Sequence, residues 1–261
     1  GWQRSRRNPL SADTGWPAGT GRLVLPTTDS TMAEGARQAA TLSGPTWICA
    51  LEQTAARGRR GRVWANPPGN FAASLVLRPE GAPGHAALRS FVAALALRDA
   101  LIAAEVPEGA LSLKWPNDVL LHGGKLAGIL LESVGSNGRI DSLIIGIGVN
   151  LAAAPVAAEL EPGAVPPVSL KGETGVTITP EDFLDLLAAA YDRWESQFTT
   201  YGFAPIRSAW LRHAARLGET ITARTARDET VGRFADVDSD GHLVLDTAKG
   251  LQRIAAADIF F

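Results

Sequence analysis

At 261 residues and 27.4 kDa, the chain has room for one large domain or for a medium domain with a small one. Apolar residues make up 46% and charged residues 20%, which is enough to bury a core and excludes a chain disordered by composition. A net charge of −2 and a pI of about 6.1 exclude a bulk binder of polyanions, and the lone Cys49 excludes a disulfide framework and a multi-cysteine zinc site.

No apolar run reaches the ~18–20 residues that span a bilayer, and residues 1–10 lack the apolar centre of a secretory signal. The chain does not begin with Met, a sign of a trimmed start, and a soluble cytoplasmic protein is expected. Arg outnumbers Lys 21 to four against abundant Ala, a bias that makes arginine richness by itself uninformative. The four lysines, Lys114, Lys125, Lys171 and Lys249, say correspondingly more.

Residues 1–20, rich in Gly, Pro and Arg, predict a flexible tail. A short strand follows at 23–25, stopped by Pro26, and Asp29 or Ser30 caps a helix over 31–42. TWICALEQ predicts a buried strand over 46–52. The next stretch, TAARGRRGRVWANPPGN, has no period and predicts a loop. FAASLVLRP alternates large and small residues, the pattern of a half-buried strand. Over 86–106, Leu88, Phe91, Val92, Leu95, Ile102 and Val106 form one helical stripe, which Asp99 interrupts. Two apolar runs flank His122-Gly123-Gly124-Lys125 and predict a hairpin turning at Gly123-Gly124. RIDSLIIGIGVNL reads as a further strand and 152–172 as a loop. Thr179-Pro180-Glu181-Asp182 starts a helix carrying Phe183, Leu187, Tyr191, Trp194 and Phe198, and a shorter helix covers 203–214. After Leu217 come four short strands separated by RDET, DSDG and TAKG, the texture of a small barrel.

Three places concentrate chemistry. Arg57, Arg59, Arg60 and Arg62 crowd into six residues with Gly58 and Gly61. Four guanidinium groups this close repel one another and fit an anion, because each planar fork bonds two phosphate oxygens. A small-molecule polyphosphate site and a solvated basic or nucleic-acid-binding loop stand level on spacing alone. Four like charges and three glycines also predict that the empty loop, 53–69, is disordered until a ligand closes it. The second place is KWPND, with Lys125 across the turn. On an ideal hairpin, residue 122 faces 125 and 118 faces 129. Asp118 and Lys125 then share a face about 13 Å apart, a spacing for two ends of an elongated ligand and not for a salt bridge. Asn117 and Asp118 are hard oxygen donors of the kind Mg²⁺ accepts beside phosphates, or else simple turn residues after Pro116. The third place, Asp29-Ser30-Thr31, suits helix capping first and a grip on a polar ring second.

Taken in order, DSTM, ALEQTAARGRRGRVW, GNFAASLVLRP, KWPNDVLL, GGKLAGILLES and IGIGVNL resemble the biotin protein ligases, well over 21–151 and in outline beyond. The resemblance implies an α+β fold: a mixed β-sheet backed by helices, the class II synthetase-like catalytic fold, over 21–214, and an SH3-like barrel over 215–261. It implies that biotin reacts with ATP and Mg²⁺ to give biotinyl-5′-AMP, and that a lysine of a biotin carboxyl carrier domain then takes the biotinyl group. Ser30, Thr31 and Gln53 resemble the contacts to the ureido ring, with Arg57 and Gly58 beside it and Gly128, Leu130 and Gly146 as the pocket floor. Arg59 and Lys125 match the positions where carboxylate meets phosphate, with Asp118 as a third catalytic position. Arg60 and Arg62 resemble phosphate-gripping arginines and Trp64 the aromatic near the nucleotide. Asn117, Asp118 and Asn150 match nucleotide, Mg²⁺ and acceptor-side positions.

Two residues depart from the family pattern. Met32 stands where Asn is frequent, and Ala56 where the loop's first Gly is usual. Only 28 residues precede Asp29, too few for the winged helix of bifunctional members, so a monofunctional ligase without nucleic-acid or membrane partners, monomer or homodimer, is expected. Two other readings are a lipoate ligase, which shares the fold and the adenylate chemistry, and a nucleic-acid-binding module. The polar Ser30/Gln53 pair speaks against the first, because a dithiolane offers nothing to hydrogen-bond. The acidic net charge speaks against the second.

Overall fold

The computed structural model describes residues 15–156 and 162–261. Seven strands, β1 (Gly21–Thr28), β2 (Thr46–Gln53), β3 (Phe71–Leu77), β4 (Leu111–Lys114), β5 (Asp118–Leu121), β6 (Gly124–Val134) and β7 (Ser142–Val149), make one mixed sheet in the order β1-β2-β3-β7-β6-β5-β4. β1 and β2 run parallel, and the remaining pairs are antiparallel. The helices are α1 (Thr31–Gln38), α2 (Pro83–Ala87), α3 (Arg89–Ala103), α4 (Leu170–Thr174), α5 (Pro180–Tyr201) and α6 (Phe203–Arg212). A second sheet, all antiparallel, contains β8 (Thr220–Arg224), β9 (Glu229–Val237), β10 (Leu243–Thr247), β11 (Gly250–Ile254) and β12 (Asp258–Phe260), in the order β11-β10-β9-β8-β12. The short strand β12 adds a fifth to the four expected. Among the described residues no helix is long and apolar enough to cross a membrane.

The pleat sorts the large sheet into two unlike faces. Trp47, Cys49, Phe71, Ala73, Leu75, Ile145 and Ile147 point to one side and join α3 and α5 in the main core. Burial of a side chain such as Phe71 or Leu75 contributes about 1.5–3 kcal/mol. Ile48, Val76 and Ile144 point to the other side, where α1 covers them with Ala39 and Met32. Covered on both faces, β3 is buried at all seven positions rather than half-buried as its alternation suggests. On its second face Val76 lies under α1, and Ala72 belongs to the wall of a cavity.

Local differences from the expected elements have simple causes. β1 does not stop at Pro26 but runs on to Thr28. It is an edge strand, and the ladder to β2 is kept on either side of the proline, at Leu25↔Ala50 and Thr27↔Glu52. α1 ends at Gln38, earlier than expected. Asp99 interrupts the stripe of α3 because it accepts a hydrogen bond from Trp194 Nε1 of α5 at 2.8 Å. Thr179 caps α5 as expected, accepting from the Asp182 N–H at 3.1 Å. Residues 1–14 of the expected tail lie outside the described residues. Trp16 is half-buried against the core, and its indole donates to Thr20 O at 2.7 Å.

The first sheet and α6 are tied to the C-terminal part of the chain at several points. Trp115 Nε1 donates to Gly241 O at 3.1 Å. Arg207 grips both carboxylate oxygens of Asp236. Leu113 N donates to His213 O, and Ala215 N to Leu113 O.

Cys49 is fully buried in β2, and burial pushes its thiol up to about 12. The folded protein is therefore expected to leave Cys49 unmodified by an aromatic disulfide reagent at pH 8, with one thiol appearing on unfolding. A rapid stoichiometric reaction in native buffer would show this strand to be open.

Candidate active site

The register of the large sheet builds a floor. Across it run Lys114↔Asp118, Asp118↔Gly128, Gly128↔Gly148 and Gly148↔Ala72, and beside them Leu130↔Gly146 and Gly146↔Ser74. Cross-strand partners project on the same side. Opposite the main core, the sheet thus carries a patch with almost no side chains, bordered by Lys114 and Asp118. Above it lies a cavity of about 710 Å³, of the size that holds a small-molecule ligand. Two side chains rest directly on the patch. A Cβ on Gly148 would come within 2.6 Å of Trp64 Cε2, and one on Gly146 within 2.6 Å of Met32 Sδ. Glycine is required at both places for these rings and thioethers to approach the backbone.

One end of the cavity is neutral and polar. β1 and β2 finish side by side at Thr28↔Gln53, which brings Gln53 to the start of α1. Gln53 Oε1 accepts from Thr31 N at 2.9 Å, so its amide N–H₂ is left free among the described residues. Ser30 caps α1, accepting from Ala33 N at 3.0 Å, and keeps its own hydroxyl proton for another partner. Thr31 is more structural than expected: its hydroxyl is buried against Ser74 Oγ at 2.8 Å. Asp29 takes no part in the floor. Arg37 holds both its oxygens at 2.9 and 2.7 Å, which keeps its carboxyl far below the usual range.

The other end is charged. The arginine loop is a small hairpin: Arg57 bridges Val63, Gly58 N donates to Arg62 O at 2.7 Å and Trp64 N to Ala56 O at 3.0 Å. Ala56 has no positive φ, so alanine fits there without strain. The loop is expected to lack support when empty, yet Asp258 of β12 supplies it. Arg59, Arg60 and Arg62 stand 3.4, 2.8 and 3.2 Å from its two oxygens. Arg59 also donates to Ala257 O at 3.3 Å. Arg57 is exposed and makes no ion pair among the described residues, and Arg60 alone of the expected residues does not line the cavity.

Lys125 corrects the sequence reading. Its Nζ lies 2.9 Å from Asp118 Oδ1, an ion pair where the ideal hairpin places the two about 13 Å apart. The turn is centred one residue early, on His122 and Gly123, both with positive φ, and β6 carries an extra residue. Leu120 faces Lys125 and Val119 faces Ala127, so Leu126 is bulged and Asp118 is two residues along the ladder instead of four. Lys125 is held from behind as well, its N donating to Pro166 O and its O accepting from Val168 N. Its ammonium also sits 5.7 Å from the Trp64 ring.

Asn117 lines the cavity and its amide donates to Ile129 O at 2.5 Å, while its carbonyl oxygen has no hydrogen-bond partner among the described residues. Asn150 is buried and committed: Nδ2 donates to Val168 O at 3.1 Å, and Oδ1 accepts from Asn70 at 3.4 Å. It therefore positions the segments around the site. Gly128, Leu130 and Gly146 lie on the cavity as expected, and so do Gly58 and Trp64.

Residues 23–150 match the model of the biotin/lipoate A/B protein ligase family, and residues 217–261 that of the biotin protein ligase C-terminal domain. The biotin–[acetyl-CoA-carboxylase] ligase of Paracoccus denitrificans is 58% identical over 238 residues, covering 91% of this chain and 99% of that protein. The chain belongs to the biotin protein ligase family. The bifunctional ligase/repressor BirA of Bacillus subtilis is 33% identical over 217 residues, which cover 82% of this chain and 65% of BirA. A biotin protein ligase from Aquifex aeolicus, solved in complex with biotin and ATP, has the same fold, with a TM-score of 0.74 at 24% identity over 92% of this chain and 97% of that one.

Several members of this ligase's cavity were not found in the sequence. Gly148 and Ala72 follow from strand alternation once Gly146 is placed. Lys114 stands in the KWPND motif and lines the cavity. Asp258, Ile259 and Phe260 carry no local signal. Asn70 is a further supporting residue, buried where β3 begins. It accepts from Ala152 N and Ala153 N at 2.8 and 3.0 Å and donates to Ala153 O at 2.8 Å. Asn70→Ala is expected to lower the unfolding free energy by about 2–3 kcal/mol, because two amides lose their acceptor. Urea unfolding of the pair measures it, and an unchanged midpoint would refute the role.

Proposed function

We propose that the chain couples biotin to ATP as biotinyl-5′-AMP and then passes the biotinyl group to a lysine of a biotin carboxyl carrier domain. The observation that carries this reading is one cavity with neutral donors, Ser30 and Gln53, at one end and Lys125 with the loop arginines at the other. An uncharged polar ring fits the first end and a carboxylate meeting a phosphate fits the second. The catalytic unit spans 21–214 in this reading and the C-terminal unit 215–261.

In the first step a biotin carboxylate oxygen attacks the α-phosphorus of ATP. A P–O bond forms, the α–β bridging bond breaks, and pyrophosphate leaves with the electron pair. Two anions must meet, so Lys125 and Arg59 lower the barrier by fixed positive charge where negative charge gathers. Asp118 holds the Lys125 ammonium in place. Arg57 and Gly58 flank the biotin ring, Gly128, Leu130 and Gly146 admit it to the floor, and Thr31 fixes Gln53. Arg60 and Arg62 hold phosphate oxygens, and Trp64 and Asn117 border the nucleotide. The Asn117 carbonyl and the Asp118 carboxylate are hard oxygens that suit Mg²⁺, which when bound screens phosphate charge. In the second step the lysine amine attacks the acyl carbon, the acyl–O bond to AMP breaks, and the amine gives up a proton. The cavity shields the mixed anhydride from water meanwhile.

The Ser30/Gln53 end favours biotin over lipoate, whose dithiolane ring would leave these donors unpaired. Arg59, Arg60 and Arg62 converge on one carboxylate, Asp258, which favours a local anion site over an extended nucleic-acid surface.

Incubated with biotin, Mg·ATP and a carrier domain, the protein is expected to add one biotinyl mass to the carrier's lysine. No gain with biotin, or an equal gain with lipoate, would overturn the reading. Lys125→Ala is expected to slow biotin-dependent pyrophosphate release by roughly 10²–10³, the size of one lost preorganised stabiliser. Near-normal release would remove Lys125 from the chemistry.

A further inference from the structure

We infer that Met32 is an oxidation site that closes the neutral end of the cavity: a hydroperoxide turns its thioether into the sulfoxide, and the new oxygen takes the donors of Ser30 and Gln53. The inference rests on the ligase reading above, in which those donors grip the biotin ring, and adds a means of shutting that end off.

The chain holds two sulfur atoms, and they lie in opposite surroundings. Cys49 is fully buried in β2, where desolvation keeps its thiol protonated and unreactive. Met32, the single methionine, is half-buried and lines the cavity. It stands in the first turn of α1, beside the capping residue Ser30, and packs against the cluster of Ile48, Val76 and Ile144. Its sulfur rests on the floor, 2.6 Å from where a Cβ on Gly146 would stand. A peroxide that enters the cavity therefore meets one sulfur. The thioether lone pair attacks a peroxide oxygen, an S–O bond forms, the O–O bond breaks and water leaves. Sulfur gives up two electrons and the peroxide takes them, so thioether and hydrogen peroxide become sulfoxide and water.

What the added oxygen does follows from where it can turn. A sulfoxide oxygen is a strong acceptor and must find a donor. The floor offers none, because Gly146 lies inside the sheet between Leu130 and Ser74, with its backbone groups in the ladder. The hydroxyls of Thr31 and Ser74 are buried against each other at 2.8 Å. The donors left free at this end, among the described residues, are the Ser30 hydroxyl and the Gln53 amide. Both are close in the fold: Ser30 caps the turn that carries Met32, and Gln53 accepts from the N–H of Thr31, the residue before it. A sulfoxide here presents to them what a ring carbonyl would present, so the oxidised side chain occupies its own cavity. The thioether, a weak acceptor, leaves them free. A methionine that was merely exposed would carry its sulfoxide in water and leave binding unchanged.

Hydrogen peroxide is added to the folded protein and removed with catalase before biotin is supplied. Intact mass and peptide mapping are expected to show one added oxygen, about 16 Da, on Met32 and none on Cys49. The oxidised protein is expected to need at least about tenfold more biotin for half of the thermal protection that the untreated protein gains, the size of one or two lost hydrogen bonds. Methionine sulfoxide reductases for both epimers restore the untreated value. Met32→Leu has a similar volume and no sulfur, and holds its own untreated value through the same treatment; Met32→Ile serves should the Leu protein not fold. Oxygen on Met32 with unchanged biotin dependence overturns the inference. So does an equal loss in Met32→Leu, which places the damage elsewhere, and so does a Met32 that takes up no oxygen. If biotin gives the untreated protein no thermal protection, the ligase reading has failed, and the blocking role with it; mass and the reductases still decide whether Met32 is the oxidised residue.

Discussion

The pleat of the seven-stranded sheet is the constraint on which the site depends. Alternate residues must leave on opposite sides, so a strand that feeds large side chains to α3 and α5 has its intervening positions free for another use. Here those positions are Gly128, Gly146, Gly148 and Ala72. A helix could cover them, as α1 covers Ile48, Val76 and Ile144. Instead only Met32, at the start of α1, and Trp64 of the arginine loop rest on them, and the backbone itself becomes the floor of a cavity. The rigidity of the core below and the emptiness above have one origin.

Charge is the second organising theme. Five cations, Arg57, Arg59, Arg62, Lys114 and Lys125, and four carboxylates, Asp29, Asp118, Glu132 and Asp258, line the cavity, and the fold sorts them unevenly between its ends. One carboxylate, Asp258, serves three guanidinium groups, and Asp118 serves Lys125. Three guanidinium groups outnumber their one carboxylate, so the field at the charged end stays positive and an anion is welcome there. The neutral end has no such excess. Asp29 is consumed by Arg37, and what faces the cavity is a hydroxyl and an amide. Electrostatics thus sorts the two ends of a ligand before any contact is made.

The C-terminal sheet is part of this arrangement. β12 carries Asp258 into the loop, Phe261 lies against Lys114, and Gly241 receives the Trp115 indole. A unit whose sequence texture suggests a separate small domain therefore completes the wall of the larger one's cavity.

The sequence by itself determined the strands with strong β-branched runs, the capped start at Thr179, the arginine loop as an anion site or basic loop, and the KWPND and KLAGIL stretches as one family's motifs. These signals are local: periodicity, caps and turn residues act within a few positions of the chain. Tertiary structure decided the rest. The bulge at Leu126 turns a 13 Å guess into an ion pair of 2.9 Å, because register depends on one extra residue that no pattern marks. Pro26 stays within a strand because that strand is at an edge. Asp99 sits on an apolar stripe because Trp194, far along the chain, needs an acceptor. Asp258 meets three arginines across some two hundred residues of sequence, a distance over which only the folded chain, by bringing the two sheets into contact, can pair charges.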